Sequence, residues 1–366
     1  MRFVRIIEGL FIIFILLPTA LGQGVTIMQL RDFLLAQHKS RKSDAETADR
    51  LSAVTLSERL TEQALSRIIT ETLPGPDSVE QLRLLADYSI FAAQPSQGNP
   101  IRPAPNPEAQ QGMLRAGAEY AQTALHHLPD FSAIRHTRRF DNTPLGSGNK
   151  HSRPKIVLHW IGEFNNRITY CNGTEIEDDS RTKQRSSETA HPGLMSMGEF
   201  GPILSVVFTD FGKGDVAWAR WEVDPAEGIL AVFHYAVPKS ASHYLVDFCC
   251  YQNPEDETKD RSFRDHPAYH GEVVLSPDSG VIHRITIQAD LDNSAPIVGS
   301  DLAVQYAEVE IGGRAYVCPV RSIATTAVHN IQMERIDGVG IERHLNEVQF
   351  IDYHKFGSTS RVIANP

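Results

Sequence analysis

The chain has 366 residues, of which 41% are hydrophobic and 22% are charged, a composition typical of folded, soluble proteins. Its formal net charge is −10, from 35 Lys and Arg against 45 Asp and Glu. Because nucleic-acid phosphates and anionic lipid surfaces repel an acidic chain, we expect no nucleic-acid partner.

The N-terminal segment 1–22 has the three parts of a secretory signal peptide. Two arginines precede an apolar run from Leu10 to Leu17, a proline follows, and small residues end the segment. The apolar run is shorter than the roughly 20 residues that span a membrane, so a single-span anchor is the less favoured alternative. We expect a mature chain that begins near Gln23, has no membrane span and is exported to the periplasm or the extracellular space.

The region 23–94 has the apolar period of α-helices. The pattern predicts a short helix near residues 28–35 and a second helix that opens with a capping box at residues 55–58. Residues 73–77 end the second helix and start a third, and we expect these two to form an antiparallel helical hairpin. Their apolar stripe indicates either core packing or a docking face for an envelope protein partner.

Five prolines in the segment 95–107 predict an extended, solvated linker, with a proline-recognition ligand as the alternative. The region 108–145 is predicted as a helix over residues 108–127, followed by a connection. It separates the linker from the second half of the chain.

The region 146–366 is predicted as an antiparallel β domain because its apolar residues alternate with period two. Turn signals separate about ten strands, including a hairpin signal at Gly312 and Gly313 and a turn at Asn165 and Asn166. A sheet of that size curves and buries one face. Residues 201–208 interrupt the strand period, and Pro202 favours a helix there that covers the sheet. The predicted strands are 155–160, 167–171, 216–222, 229–237, 244–251, 271–275, 282–290, 303–311, 314–320, 324–335 and 348–356.

The predicted fold is therefore α+β, with an N-terminal helical domain followed by a curved antiparallel β-sheet. We expect the sheet to form an incomplete barrel with a covering helix.

Three segments of the second half resemble a known pattern. They are an opening hairpin at residues 168–175, a late hairpin at 304–316 that ends in Cys318 and Pro319, and a closing strand at 346–356. In these segments the region 153–364 is similar to secreted bacterial proteins of unassigned function with an outer-membrane lipoprotein-carrier-like (LolA/LolB-like) β domain. The resemblance implies an incomplete barrel that is covered by helices and holds acyl chains in its hollow. It identifies no individual lipid-binding residue in this chain.

Four cysteines follow the leader, and an even number in an exported protein favours disulfides. Strand alternation places Cys250 and Cys318 on apolar faces, so we predict a disulfide between them inside the β domain. Cys171 and Cys249 pair with each other or are free, and four reduced, buried thiols are the alternative. The positions lack C-x-x-C spacing, so we predict no metal site.

The sequence contains no catalytic or cofactor motif that we recognise. The Gly-Ser-Gly at residues 146–148 lacks the strand and helix that flank a nucleophile elbow, and Pro267 breaks the helical spacing between His266 and His270. We therefore predict a non-enzymatic protein without a cofactor. A hydrolase remains the third hypothesis, and it requires Ser, His or carboxylates that converge in a cleft.

Aromatic residues concentrate in the early strands and form the predicted ligand site. One face of a curved sheet lines its interior, and an apolar hollow is the default binding site of such a domain. The alternative is a solid core, as in many small barrels. The first hypothesis is carriage of a lipid or other apolar, acyl-chain ligand in the cell envelope, and the second is a protein-interaction role of the helical domain. The predicted ligand-binding residues are Trp160, Trp218, Trp221, Phe233, Tyr235, Tyr244 and Phe248.

Overall fold

A computed structural model describes residues 24–94, 102–144, 156–171, 173–177, 194, 198–253 and 256–356. The signal segment 1–22 lies outside these ranges, as does most of the Pro-rich segment. Within them the fold is α+β, with helices first and a large antiparallel sheet after them, as the sequence predicted. No helix in the described ranges has both the length and the apolar character needed to cross a membrane.

Four helices form the N-terminal region. They are α1 Ile27–Lys39, α2 Asp44–Leu51, α3 Glu62–Thr72 and α4 Pro76–Tyr88. Their apolar stripes meet in one buried cluster that includes Leu34, Leu65 and Leu82. Of the two interpretations of the helical stripe, the structure therefore favours core packing over an exposed docking face.

The predicted start of the second helix at residues 55–58 is wrong. The helix α3 begins at Glu62, where the Thr61 side chain accepts a hydrogen bond from the backbone of Ala64. Residues 55–58 instead contact the segment before α1, because Leu56 pairs with Val25 in a parallel bridge. The helix α2 was missed because its eight residues are mostly polar and carry little apolar period.

The helix α5 covers Pro107–His127, close to its prediction. The described residues before it contact the sheet, since the Trp221 indole donates a 2.8 Å hydrogen bond to the Pro103 carbonyl. Arg102 lies over the Trp221 ring at 4.1 Å from its centroid. At least this end of the Pro-rich segment is therefore anchored to the β domain.

Ten strands form one open antiparallel sheet. They are β1 Phe131–Asp141, β2 His159–Cys171, β3 Thr174–Glu177, β4 Asp215–Asp224, β5 Gly228–Val237, β8 Ala268–Leu275, β9 Ile282–Asp290, β10 Ile297–Ile311, β11 Arg314–His329 and β12 Ile341–Lys355. Their spatial order is β3-β2-β1-β12-β11-β10-β9-β8-β5-β4, so the edge strands β3 and β4 do not close a barrel. The strands β6 Val246–Asn253 and β7 Asp256–Asp265 form a separate hairpin.

Three boundaries differ from the prediction. The sheet begins at Phe131, because part of the predicted connection forms β1 between β2 and β12. Asn165 and Asn166 form no turn and continue β2, where the Asn165 side chain lies 2.7 Å from the His136 ring nitrogen of β1. The last part of the predicted strand 324–335 is the helix α7 Ile331–Asp337, which the Asn330 side chain caps.

Two local predictions in the β region are confirmed. Gly312 and Gly313 form the turn between β10 and β11, with φ angles of 61° and 82° that favour glycine. The interrupted strand period at residues 201–208 corresponds to the helix α6 Pro202–Asp210, with Pro202 in its first turn.

Helices cover both faces of the ten-stranded sheet. The apolar face packs against α5 and α6, where Val207 of α6 belongs to one buried cluster with Phe233 and Ile285 of the sheet. The opposite face, called the charged face below, carries Arg284 next to Ile285, because neighbours in a strand point to opposite sides. On the charged face, α4 and the residues after it contact β11 and β10, and Arg59, in the segment before α3, reaches Glu222 of β4.

Candidate functional site

The seven predicted ligand-binding residues do not converge on one cavity. Trp218, Trp221, Phe233, Tyr235 and Tyr244 belong to the core of the apolar face, where Phe233 is 0% and Tyr235 is 3% exposed. Their rings pack on each other, with 4.7 Å between the centroids of Trp218 and Trp221. This arrangement is the solid core that the sequence left as the alternative to a hollow.

The two remaining predicted residues lie elsewhere. Trp160 is 55% exposed on β2, and Phe248 lies on β6, in the separate hairpin. These seven positions share an aromatic side chain but not a site, because their strands reach different parts of the molecule.

The predicted disulfide between Cys250 and Cys318 is not formed. Cys318 is a free thiol, fully buried on β11, and burial raises its pKa to about 12. Cys250 lies on β6, outside the ten-stranded sheet that holds Cys318. Strand alternation placed both cysteines on apolar faces, but those faces belong to different sheets. Across the described part of the chain, no group of His, Cys, Asp and Glu is arranged to hold a metal ion.

A cleft of about 710 Å³ lies between α1, α3 and the charged face of the sheet. Glu222, Arg284 and Gln305 of the sheet line this cleft, together with Arg59 and Gln94 from the segments next to the helices. Met28 lies at its mouth.

Five ionic side chains form the floor of this cleft and the layer beneath it, and we call them the basic cluster. Glu222 accepts hydrogen bonds from both terminal nitrogens of Arg284, at 2.8 and 2.9 Å. Arg220 donates to both oxygens of Glu272, at 2.6 and 2.9 Å. Burial alone would raise the pKa of Glu222, but the hydrogen bonds and charge of Arg284, with Arg59 and Arg220, lower it to about 2.

Arg59 is the fifth member and differs from the other two arginines. Its residue is 8% exposed, yet its guanidinium donates no hydrogen bond to any residue that the structure describes. The nearest carboxylate oxygen, Oε1 of Glu222, is 3.9 Å away. Burial, followed by the charge of Arg284, lowers the pKa of Arg59 to about 10, so the group stays charged at neutral pH.

A second donor in the basic cluster also has no acceptor. The Nε atom of Arg284 is buried and has no hydrogen-bond partner within the described ranges. Three guanidinium groups face two carboxylates within this cluster, an excess of one positive charge, while the carboxylates of Glu58 and Asp224 also line the cleft. An uncompensated buried charge is costly, so the arrangement favours an anion as the missing acceptor.

The mouth of the cleft carries charges of both signs. Arg31 donates to Glu71 across α1 and α3, at 2.5 Å, and Glu62 and Arg67 are exposed nearby. Solvent and salt screen exposed charges of this kind, so they contribute less than the buried floor to the binding of an ion.

The charged face holds a second ionic group, which we call the acidic cluster. Arg138 donates to Glu80 and to Glu347, the latter at 3.0 Å. Arg321 donates to Asp87 of α4 and, at 3.0 and 3.2 Å, to Glu347. Two arginines therefore face three carboxylates. Burial raises the pKa of Asp87 to about 7, against the opposing effect of Arg321, so a proton can bind there near neutral pH and remove the excess negative charge.

The basic cluster was not recognised in the sequence, although a signal was present. Arg220, Glu222, Glu272 and Arg284 interrupt otherwise apolar predicted strands at positions that share one face. Arg59 gave no such signal, because it lies in the irregular segment before α3, and its burial arises only when that segment meets the sheet.

No protein-family model matches this chain, and neither the curated proteins nor the solved structures contain a match to it. The similarity to lipoprotein carriers stays a prediction from the sequence.

Proposed function

We propose that this protein is a binding protein whose ligand carries a carboxylate or phosphate group, held in the cleft of the basic cluster. The observation that supports this function is the buried Arg59, which lines the cleft and whose guanidinium donates no hydrogen bond to the residues that the structure describes. The buried Nε of Arg284 adds a second unused donor.

The chemistry of arginine explains why an anion is the expected partner. A buried carboxylate in excess can take up a proton, as Asp87 does, but arginine keeps its proton at neutral pH. Its planar fork of donors fits the oxygen atoms of a carboxylate or a phosphate. A bound anion would therefore satisfy the unused donors and complete the charge balance of the cluster.

The shape of the cleft indicates an organic anion. Met28 and Val223 line its walls and are 70% and 49% exposed, so apolar surface flanks the basic floor. This lining favours a ligand with an apolar part next to its anionic group. Acyl-chain carriage on the apolar face remains a prediction, but the described core there is packed with aromatic rings, and the cleft is the better supported site.

We further propose that the protein works outside the cytoplasm, in the cell envelope or beyond. This proposal depends on the signal-peptide pattern of segment 1–22, which lies outside the described residues. A docking role of the helical domain has less support, because the apolar stripe of its helices is buried in their own core.

The direct test is isothermal titration calorimetry of the purified chain with inorganic phosphate and with butyrate, which pairs a carboxylate with an apolar tail. We expect saturable binding of at least one of them at one site, and loss of at least tenfold in affinity in Arg59→Met. Arg67→Met is the matched control, since Arg67 is exposed at the mouth of the same cleft. Equal affinities of the wild type and Arg59→Met, or no binding of either probe, would contradict the proposal.

A further inference from the structure

A second cleft, of about 510 Å³, lies at the end of the sheet where the β4–β5 and β8–β9 turns meet the segment before α5. It is distinct from the cleft of the basic cluster and shares no residue with that site. Its lining includes Arg102, Met113, Trp221, Glu227, Ile229 and Ser276.

Ser276 and Glu227 line this cleft, and both lie next to His283, in the order of a nucleophile, a base and an orienting carboxylate. The hydroxyl oxygen of Ser276, at the end of β8, lies 2.7 Å from Nε2 of His283 on β9. The other ring nitrogen of His283, Nδ1, lies 4.0 Å from Oε2 of Glu227 in the β4–β5 turn. A carboxylate on the Nδ1 side favours the tautomer with its proton on Nδ1, which leaves Nε2 as the acceptor for the serine hydroxyl.

The surroundings of His283 suit a general base. Its side chain is 12% exposed, and burial lowers its pKa, while Glu227 and Asp224 act in the opposite direction. The imidazole is therefore neutral near pH 7 and can accept a proton. The 4.0 Å separation from Glu227 is longer than a hydrogen bond, and contacts of this kind often tighten only when a substrate binds.

We propose that Ser276, His283 and Glu227 form a serine hydrolase site for small carboxylic esters. This activity goes beyond the proposed binding function and departs from the sequence-based expectation of a non-enzymatic protein. It depends on the contact between Ser276, which lines the cleft, and His283 beside it, and it does not require the basic cluster.

The reaction follows from the geometry. The Ser276 oxygen bonds to the ester carbonyl carbon, and its proton passes to Nε2 of His283. The bond between that carbon and the alkoxy oxygen then breaks, and His283 gives the proton to the departing alcohol. Water attacks the acyl-serine with His283 as base, which releases the carboxylic acid and restores Ser276. Glu227 acts as a positioning residue that holds the imidazole and stabilises its charged form.

The other lining residues indicate the substrate class. Trp221, Met113 and Ile229 offer apolar surface to a short acyl group. Arg102 is stacked on Trp221, and its guanidinium supplies positive charge in the cleft for the oxyanion of the intermediate. The volume of the cleft limits the substrate to a small ester.

The test uses the purified full chain with a fluorophosphonate probe, followed by peptide mass spectrometry, and with 4-nitrophenyl acetate as substrate. We expect covalent labelling of Ser276 and ester hydrolysis, both lost in Ser276→Ala, with a rate reduction of about 100-fold or more. Ser279→Ala is the matched control, because Ser279 lines the same cleft without a histidine partner, and it should keep both signals. Thermal unfolding shows whether each variant is folded.

Two further variants separate the catalytic roles from a structural one. In the wild type the rate should rise with pH through the lowered pKa of His283 and then level off. His283→Asn should remove that pH dependence, and Glu227→Gln should lower kcat with little change in KM. An unlabelled Ser276 in the folded wild type, or an unchanged rate in folded Ser276→Ala, would overturn the proposal.

Discussion

The basic and acidic clusters both join the N-terminal helices to the charged face of the sheet, yet each solves its charge imbalance differently. In the acidic cluster both arginines donate hydrogen bonds to carboxylates, and burial raises the pKa of Asp87 to about 7, so that a proton can bind near neutral pH and neutralise the excess. In the basic cluster the excess lies on Arg59, which cannot lose its proton at neutral pH. The first cluster can be complete without any partner, whereas we propose that the second binds an anion.

The way in which each cluster balances its excess charge distinguishes a structural ionic group from one that can bind a ligand. A buried ionic group whose arginines all donate to its own carboxylates is expected to fix how two layers dock, and its excess charge is removed within the protein. A buried guanidinium that lines an open cleft without an acceptor indicates a ligand, because desolvation without compensation is costly. The cleft of about 710 Å³ lies next to the basic cluster, which is consistent with that division.

We expect the largest change in the free energy of unfolding from a substitution on the apolar face. This substitution also serves as the reference for the two charged clusters. Phe233→Ala should lower the free energy of unfolding by about 3–5 kcal/mol, because Phe233 is fully buried against Trp218. Chemical denaturation at pH 5 and 8, with and without phosphate, should give the same loss. Ile161→Ala, at a position 43% exposed, should change stability by less than about 0.5 kcal/mol. A loss that depends on phosphate would break the distinction between the two faces.

Asp87→Asn tests the proton in the acidic cluster. Because the folded-state pKa of Asp87 is raised from 3.8 to about 7, the wild type should lose stability as the pH rises from 4 to 7. The asparagine variant lacks this loss, so above pH 7 it should exceed the wild type by at most about 4 kcal/mol. Denaturation curves from pH 4 to 8 measure the difference.

The control for Asp87→Asn is Glu80→Gln, which changes an exposed carboxylate of the same cluster, 39% accessible. Its stability should follow the wild-type pH curve. Parallel curves for Asp87→Asn and the wild type would show that Asp87 carries no proton in the folded protein.

Glu222→Gln tests the basic cluster, in which the pKa of a carboxyl group is lowered and not raised. The pKa of Glu222 is lowered from 4.5 to about 2, so its charged form should contribute about 3 kcal/mol of stability above pH 4.5. That contribution is lost as the pH falls from 4.5 to 2, and the gap between the wild type and Glu222→Gln should close over this range. Glu163→Gln, at an exposed site on β2, serves as the control. A gap that widens in acid would contradict the assigned pairing with Arg284.

Local features of the fold could be predicted from the sequence. Apolar period and turn chemistry located α1, α5 and α6 and the turn at Gly312 and Gly313, because these depend on neighbouring residues. The turn predicted at Asn165 was wrong, since pairing with β1 keeps β2 extended through both asparagines. Residues 131–141 gave no strand prediction, although they pair with β12 more than 200 positions away.

The candidate site could not be predicted for the same reason. Arg59, Glu222 and Arg284 come from a loop before α3 and from two strands that are not neighbours in the sheet, and no local pattern shows that they meet. The aromatic residues were conspicuous in the sequence, but aromatic content alone does not distinguish a packed core from a ligand cavity. The predicted disulfide was wrong because face assignment within a strand does not identify the sheet to which the strand belongs.

Thermal unfolding of the wild type and Arg59→Met in increasing phosphate, at constant ionic strength set with chloride, tests the central claim most directly. Without phosphate the variant should be as stable as the wild type or more stable by about 1–2 kcal/mol, because it removes the uncompensated buried charge. Phosphate should then raise the Tm of the wild type and leave that of the variant unchanged. At a phosphate concentration of 100 times Kd, the gain in the free energy of unfolding of the wild type is about 2.7 kcal/mol. A less stable Arg59→Met without phosphate, or an equal response of both proteins, would contradict an anion site at Arg59.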